Sequence, residues 1–369
     1  MANAPADPGA AALAPPLRLA PAELAARVAA DPLDEPSALL GHPLVLLEPD
    51  ADGGMPDAVE LAVLRDRLPT LPCVVAAFGP AAPGGAGAEA GPGVAAGVRS
   101  LADLVIDGEE ELRRLSARVG AAPRAAVALA QVLRLSGGRD PERGLLAESL
   151  AYAALQAGPE FRAWLASRPP PAPLPDPRER PGLRALRRGG RLELRFTRPE
   201  RRNAYAADVR DALAEALALA LADPAVEEIA LSGEGPCFCS GGDLAEFGTT
   251  PDPVTGHLVR STRHPARLLL RLADRTVARV HGACIGAGAE LAAFAGRVVA
   301  AEDAFFELPE LSMGLIPGAG GTVSLPRRIG RHATARLVLL GERVDARRAL
   351  RLGLVDRIEP RPTWLEGTG

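Results

Sequence analysis

A proline-rich segment near the middle of the chain limits what this sequence can fold into. Seven of the fourteen residues from Pro169 to Gly182 are proline. Proline lacks a backbone N–H and fixes φ, so neither a helix nor a central strand can run through the segment. It predicts an extended linker over residues 169–182. We predict a disordered lead over residues 1–35 and folded regions over residues 36–168 and 183–369.

Composition excludes several classes of protein. The 369 residues are 47% hydrophobic, which is enough for a core in each region, and the net charge of -4 gives no reason to expect nucleic acid as a partner. The sequence contains no run of eighteen apolar residues, so no membrane span is predicted. The N-terminus lacks a signal-peptide pattern. The four cysteines lack zinc-ligand spacing. We expect a cytoplasmic protein that binds no metal, nucleic acid or membrane.

The C-terminal region alternates strand and helix patterns, which is typical of an α/β layered fold. The predicted helix covers Ala207–Ala222, where Asp223-Pro224 stops it. The predicted strands include Leu192, Leu194 and Phe196, then Glu228–Ser232, Thr276–Val280 and Arg297–Ala301. In the N-terminal region, strands are predicted at Leu44–Glu48, Cys73–Phe78 and Ala102–Ile106, a loop at Ala81–Gly97, and helices within Glu109–Val119, Pro123–Leu135 and Gly144–Ser167.

Two runs of small residues follow predicted strands. In the first, Ser240, Gly241 and Gly242 precede Asp243, which can cap the next helix. Small residues let a ligand approach backbone N–H groups, although an ordinary glycine turn explains this run equally well. The second run, from His281 to Glu290, contains Gly286, Ala287 and Gly288 before a helix. Free N–H groups at a helix N-terminus suit an anion or a developing oxyanion.

A third stretch places Glu310 between Pro309 and Leu311, ahead of a long small-residue loop that contains Gly318. Partial burial would raise the pKa of Glu310 towards a range useful for proton transfer. A solvated loop glutamate is the alternative interpretation.

These stretches, with Arg198-Pro-Glu-Arg-Arg-Asn-Ala204 before them and residues 341–357 after them, resemble the crotonase, or enoyl-CoA hydratase/isomerase, superfamily. The resemblance runs from about residue 191 to residue 360. It implies a spiral of ββα units and a trimer or hexamer. It also implies an acyl-thioester on CoA or a carrier protein as substrate, and no cofactor.

Carried over residue by residue, the resemblance implies an oxyanion hole from the backbone N–H groups of Ser240 and Ala287. It implies Glu290 and Glu310 as catalytic residues. The other positions that it assigns to substrate binding are Gly241, Gly242, Asp243, Gly286, Gly288 and Gly318. His281 is interpreted as structural. Glu307 replaces a residue that is commonly small in the family, which predicts either a more polar pocket or a solvent-facing side chain.

Glutamate occupies both positions at which the hydratases of the family have one, and this favours an enoyl-CoA hydratase-like enzyme. In this hypothesis Glu290 activates water for attack at C3, and Glu310 transfers the proton at C2. Alternatives are a double-bond isomerase, a thioester hydrolase, or a non-catalytic partner subunit.

The resemblance also implies closing helices after Gly353-Leu-Val-Asp, and the sequence shows none there. Residues 112–168 look like such helices. We therefore interpret the first region as a degenerate crotonase-like unit whose helices complete the second, as in a circular permutation. An unrelated helical domain is the alternative.

Overall fold

The computed structural model describes residues 15–30, 36–39, 42–48, 54–79, 94–135, 140–170, 176 and 179–360. The chain divides into two compact units, and the first ends at Gln131. Among the described residues the second unit starts at Val132, so it includes the helices that precede the proline-rich segment. Most of the predicted linker lies outside the described residues.

The first unit is built on a parallel sheet with strand order β1-β2-β3-β4. Its elements are β1 (Leu17–Leu19), α1 (Pro21–Ala29), β2 (Leu44–Leu47), α2 (Ala58–Arg67), β3 (Val74–Phe78), α3 (Val94–Leu101), β4 (Leu104–Ile106), α4 (Gly108–Ala121) and α5 (Pro123–Leu135), the last of which reaches the unit boundary. Strand β2 is buried along its whole length. Continuous apolar runs of this kind are typical of parallel strands that are covered on both faces.

Three predictions for the first unit need correction. The lead predicted over residues 1–35 contains β1 and α1, because Leu24 and Val28, four residues apart, form an apolar helix face that is fully buried. The loop predicted to reach Gly97 ends earlier, since α3 begins at Val94. The strand predicted from Ala102 begins only at Leu104. The resemblance of this region to a degenerate crotonase unit stays a prediction.

The second unit carries a six-stranded sheet of order β13-β10-β8-β7-β6-β5 and a three-stranded sheet of order β12-β11-β9. Its elements are α6 (Pro141–Gln156), α7 (Pro159–Ala166), β5 (Leu183–Arg188), β6 (Arg191–Phe196), α8 (Ala207–Ala222), β7 (Glu228–Gly233), α9 (Pro253–Thr262), α10 (Pro265–Arg271), β8 (Thr276–Val280), β9 (Ala283–Ile285), α11 (Ala287–Ala292), β10 (Arg297–Ala301), β11 (Phe305–Glu307), α12 (Gly321–Leu339, kinked at Gly330), β12 (Val344–Asp345), α13 (Ala346–Leu352) and β13 (Arg357–Glu359).

The predicted C-terminal strands and the helix α8 are confirmed. Strand β6 buries alternate residues, as the spacing of its apolar side chains predicts. Strands β6, β7, β8 and β10 pair in parallel, while β5 joins β6 as an antiparallel hairpin. The unit is thus an α/β fold in which glycine-rich turns follow the carboxyl ends of neighbouring strands.

The helices α6 and α7 pack against residues far along the chain. Helix α6 contacts α9 and α12, and α7 contacts the 3-10 turn Glu310–Met313. Helices that precede the proline-rich segment therefore cover elements that follow it. These contacts support the interpretation that they complete the C-terminal unit, which stays a proposal.

Candidate active site

Glu290 is a buried carboxylate on the short helix α11. The turn before this helix uses Gly286 at a φ of 49°, which favours glycine. Only 2% of Glu290 is exposed, and its Oε2 accepts hydrogen bonds from the N–H groups of Ala319 (2.7 Å) and Gly321 (2.8 Å). Burial raises the pKa of Glu290 well above its ordinary value, and the nearby Glu310 raises it further. The amide bonds oppose this shift.

Glu310 opens the 3-10 turn after β11, and it is half-buried, as its apolar neighbours predicted. Its Oε2 is inaccessible to solvent and has no hydrogen-bond partner among the described residues. A methyl group at Gly286 would lie 2.7 Å from Oε1, so glycine is needed there for close approach. Burial raises the pKa of Glu310 to about 8. A carboxyl group in this state can hold and release a proton near neutral pH.

A third buried glutamate, Glu148 of α6, was missed by the sequence reasoning. Its Oε1 accepts from the N–H of Gly320 (2.8 Å), and its Oε2 accepts from the N–H and Oγ1 of Thr322 (2.9 and 2.7 Å). Burial raises the pKa of Glu148 to about 7, although the bonds from Thr322 and Gly320 lower it. No local motif surrounds Glu148, so only the fold reveals it.

The loop over residues 318–322 is therefore held from two sides. Alternate amides donate to different carboxylates: Ala319 and Gly321 to Glu290, and Gly320 and Thr322 to Glu148. Gly318, where this loop begins, lines the same cavity as His264. The loop that binds Glu290 is thus also bound by Glu148, which lies 172 residues before Gly320 in the sequence.

The raised pKa of Glu148 predicts how stability depends on pH. A carboxyl whose folded pKa exceeds its unfolded value of 4.5 stabilises the fold fully below that value, and this contribution is lost as pH rises through about 7. We expect the free energy of unfolding to fall across this window. The slope should be less steep in Glu148→Gln, by up to about 1.4 kcal/mol per pH unit.

Denaturant titrations between pH 4.5 and pH 8 check this expectation. Glu142→Gln is the matched control, because Glu142 lies on the same helix and is exposed. An unchanged slope in Glu148→Gln would contradict the proposed titration.

The structure corrects the predicted oxyanion hole. The backbone N–H of Ser240 donates to the carbonyl oxygen of Arg202 at 3.0 Å, so it is not available to a ligand. The amide of Gly242 and that of Ala287, the first residue of α11, have no acceptor within the described ranges. Both residues line the cavity that contains Glu290 and Glu310. Gly242 therefore replaces Ser240 as the candidate donor.

The remaining predicted site residues fall into three groups, two of which line cavities. Gly318 lines the cavity that contains Glu290 and Glu310, named the catalytic cavity below, while Ser240, Gly241, Gly286 and Asp243 line a second one. Asp243 has a structural role, because it is buried, pairs with Arg201 at 2.7 Å and accepts a hydrogen bond from the N–H of Ala245 at 3.0 Å.

Gly288 lines neither cavity. A methyl group there would meet the carbonyl oxygen of Cys239 at 2.6 Å, so this glycine serves close packing. The imidazole of His281 bonds to the carbonyl oxygen of Gly235, in agreement with a structural role. Glu307 lines neither cavity and pairs with Arg343 at 3.0 Å.

The two cavities meet at Gly242, Phe247 and Glu310. The catalytic cavity has a volume of about 170 Å³, and the second has a volume of about 510 Å³. Sequence reasoning missed several side chains that line the catalytic cavity: Tyr152, Tyr205, Arg210, Phe247, Arg260 and His264. A ligand could therefore extend from the larger cavity past Gly242 to the two glutamates.

Within the described part of the chain, no helix is long and apolar enough to cross a bilayer. No group of three or more His, Cys, Asp or Glu side chains is arranged to hold a metal ion among those residues.

Comparison with known proteins identifies the family. Residues 188–368 match the family model described as enoyl-CoA hydratase/isomerase. The chain is 32% identical over 186 residues to an enoyl-CoA isomerase/hydratase of Mycosarcoma maydis, covering 48% of this chain and 68% of that protein. It is 35% identical over 176 residues to the 2,3-dehydroadipyl-CoA hydratase of Escherichia coli K12, with 47% and 68% covered. The chain belongs to the enoyl-CoA hydratase/isomerase family, and its second unit has an α/β crotonase-like fold.

The match does not extend over the whole of every relative. The chain is 34% identical to the mitochondrial enoyl-CoA hydratase of Pongo abelii over 175 residues, and these cover 47% of this chain and 59% of that protein. Among solved structures, an enoyl-CoA hydratase from Bacillus anthracis gives a TM-score of 0.46 at 28% identity, with 50% of this chain and 72% of that chain covered.

Proposed function

We propose that this protein adds water to, or removes it from, the 2,3 double bond of an acyl-thioester. The observation that carries the proposal is the convergence of four groups on one cavity: the carboxyls of Glu290 and Glu310 and the unbonded amides of Gly242 and Ala287. Two acid–base groups beside two oxyanion donors are what this reaction requires.

The two glutamates differ in a way that assigns their roles. Two buried carboxyls that interact share their charge, because both cannot ionise at low cost. Glu290 accepts two amide hydrogen bonds, which favour its ionised form, whereas Oε2 of Glu310 has no partner among the described residues. Burial raises the pKa of both carboxyls, so the pair retains one proton. We assign this proton to Glu310, whose Oε2 has no amide donor among the described residues, and Glu290 is then the base.

In the hydration direction, Glu290 takes a proton from water as the water oxygen bonds to C3. The π electrons move to C2, and the developing negative charge on the thioester oxygen is stabilised by the amides of Gly242 and Ala287. Glu310 then gives its proton to C2, and dehydration is the reverse path. One oxyanion donor is worth about 3–4 kcal/mol of barrier in enzymes where it has been measured.

The second cavity is suited to the carrier end of the substrate. It is lined by Arg201 and by the exposed Arg202, whose side chain has no acidic partner among the described residues. Arginine is well suited to phosphate groups. CoA is therefore the simplest carrier for this site, and assembly into a trimer or hexamer and a cytoplasmic location stay predictions from the family resemblance.

The test is a spectrophotometric assay of the full chain with crotonyl-CoA. Loss of enoyl absorbance would support hydration. Release of a free thiol would indicate hydrolysis, and a shift of the double bond with no added water would indicate isomerisation. If no enoyl thioester is turned over although thioesters bind, the chain is a non-catalytic subunit and the proposal is wrong.

The oxyanion assignment gives a further prediction. Ala287 is the first residue of α11, where proline is tolerated by the helix, so Ala287→Pro removes one N–H donor with little cost to the fold. We expect kcat to fall about 10²–10³-fold. Ser240→Ala should retain wild-type kcat, because the backbone amide stays bonded to Arg202. Steady-state kinetics are the measurement, and circular dichroism checks that the variants are folded. A folded and fully active Ala287→Pro would contradict the assignment.

A further inference from the structure

The catalytic cavity is lined by two arginines as well as by Glu290 and Glu310. Arg210 and Arg260 both line it, together with the phenols of Tyr152 and Tyr205. Burial raises the pKa of both tyrosines, so their O–H groups stay protonated and can donate. Neither phenol has a hydrogen bond to the described residues. These polar groups face the same space as Glu290 and Glu310.

Arg260 lies in this cavity without an acidic partner. Its Nε donates to Oγ of Ser149 at 3.1 Å, its Nη2 donates to the carbonyl oxygen of Ser149 at 3.3 Å, and its guanidinium stacks 4.7 Å from the ring centre of Tyr152. No carboxylate of the described residues forms an ion pair with it. Glu148 is close enough to interact electrostatically, but both of its oxygens are used by Gly320 and Thr322.

The acidic side chain nearest to the other arginines is already paired. Arg210 pairs with Asp211 at 2.9 Å, and Arg263 pairs with the same carboxylate at 3.2 Å. Arg210 and Arg263 therefore share Asp211, and Arg260 forms no ion pair within the part of the chain that the structure describes. His264 adds no charge, because burial lowers its pKa to about 4.

A half-buried guanidinium that forms no ion pair is costly, because burial removes it from water and its hydrogen bonds to Ser149 offset only part of the loss. Arginine cannot reduce this cost by losing its proton. Two of the five N–H groups of Arg260 are used by Ser149, which leaves three for another acceptor. A bound anion would compensate the charge, and the planar guanidinium matches a carboxylate in particular.

The size of the cavity limits the ligand. A cavity of about 150 Å³ holds a benzene molecule, so the 170 Å³ here accepts a short acyl group of about four to six carbons. We propose that the acyl pocket is specific for short thioesters whose far end carries a carboxylate, which binds Arg260 with help from Arg210 and the two tyrosines. This inference rests on the proposed function, since it names the acyl class that the same site takes.

The test is calorimetric binding of glutaryl-CoA and pentanoyl-CoA to the full chain. These saturated five-carbon thioesters cannot be hydrated and differ only in whether a carboxylate or a methyl group ends the acyl chain. We expect glutaryl-CoA to bind about 10- to 100-fold more tightly, as for a hydrogen-bonded ion pair in a partly buried site. Equal affinities would overturn the inference and leave the proposed function standing. Failure of both to bind would overturn both.

Variants of Arg260 test whether this residue causes the preference for glutaryl-CoA. Arg260→Leu should bring the ratio of the two affinities close to one, and Arg260→Lys should give an intermediate ratio because the charge is kept and the planar fork is lost. Arg271→Leu is the matched control, because Arg271 is exposed on α10 and does not line the cavity. If Arg260→Leu had the same ratio of glutaryl-CoA to pentanoyl-CoA affinity as wild type, the assignment to Arg260 would be contradicted.

Turnover measurements separate the preference for a carboxylate from the proposed reaction. With the matching enoyl thioesters, glutaconyl-CoA and 2-pentenoyl-CoA, kcat/KM should favour the former by a similar factor in wild type. If neither is turned over while glutaryl-CoA still binds more tightly, the proposed reaction is wrong and the carboxylate preference remains.

Discussion

Replacing Glu290 or Glu310 with glutamine should lower kcat on the true substrate about 10²–10⁴-fold, the usual contribution of a general acid or base. Glutamine keeps the size of the side chain but cannot exchange a proton. Both carboxyls line the cavity beside the amides of Gly242 and Ala287. Thioester binding should be largely kept, because the proposed contacts to the thioester oxygen come from backbone N–H groups.

Steady-state kinetics of both variants and calorimetric binding of a saturated thioester check this prediction. Glu302→Gln is the control, since Glu302 lies eight residues before Glu310, is exposed and does not line the cavity. Full activity in both Glu290→Gln and Glu310→Gln would show that the proposed mechanism is wrong.

The second large effect concerns the helices α6 and α7. A fragment that begins near Gly182 should be insoluble or aggregated when expressed alone. It would lose the cover that α6 gives to α9 and α12, and the cover that α7 gives to the turn at Glu310. Exposing a large apolar surface of this kind is rarely tolerated by a soluble protein.

The fragment would also lose the hydrogen bonds made by Glu148. The amides of Gly320 and Thr322 and the hydroxyl of Thr322 would lack their acceptor, at a cost of about 1–3 kcal/mol for each group that remains buried. The loop that positions Glu290 would therefore be affected even if the sheets formed. The missing helices should thus harm both stability and activity.

Three expression experiments test this second prediction. They use the fragment from residue 183, the same fragment co-expressed with residues up to 168, and a fragment from residue 132, which keeps all described residues of the second unit. We expect the first to aggregate, and the other two to be soluble. Solubility on gel filtration and a cooperative thermal transition are the measurements. A folded, active fragment from residue 183 would show that α6 and α7 are dispensable.

The sequence by itself determined the features that depend on short-range patterns. Alternating apolar residues in β6 and the Asp223-Pro224 stop after α8 define elements whose partners are their own neighbours. The glycine-rich turns next to Glu290 and Glu310 are equally local, although the amides that bind Glu290 lie 29 and 31 residues further along the chain. These motifs were also sufficient to identify the family.

Only the tertiary structure decided the rest of the site. The sequence could not show that the amide of Ser240 is already bonded to Arg202, because that bond crosses between two loops. It could not show that Glu148 of α6 binds the loop at Gly320 and Thr322, or that Arg260 of α9 lines the cavity. Neither residue lies in a motif, and side chains so far apart in the chain meet only through packing. Local sequence specifies which way a backbone turns, whereas the burial and partners of a charged side chain depend on every element that folds around it.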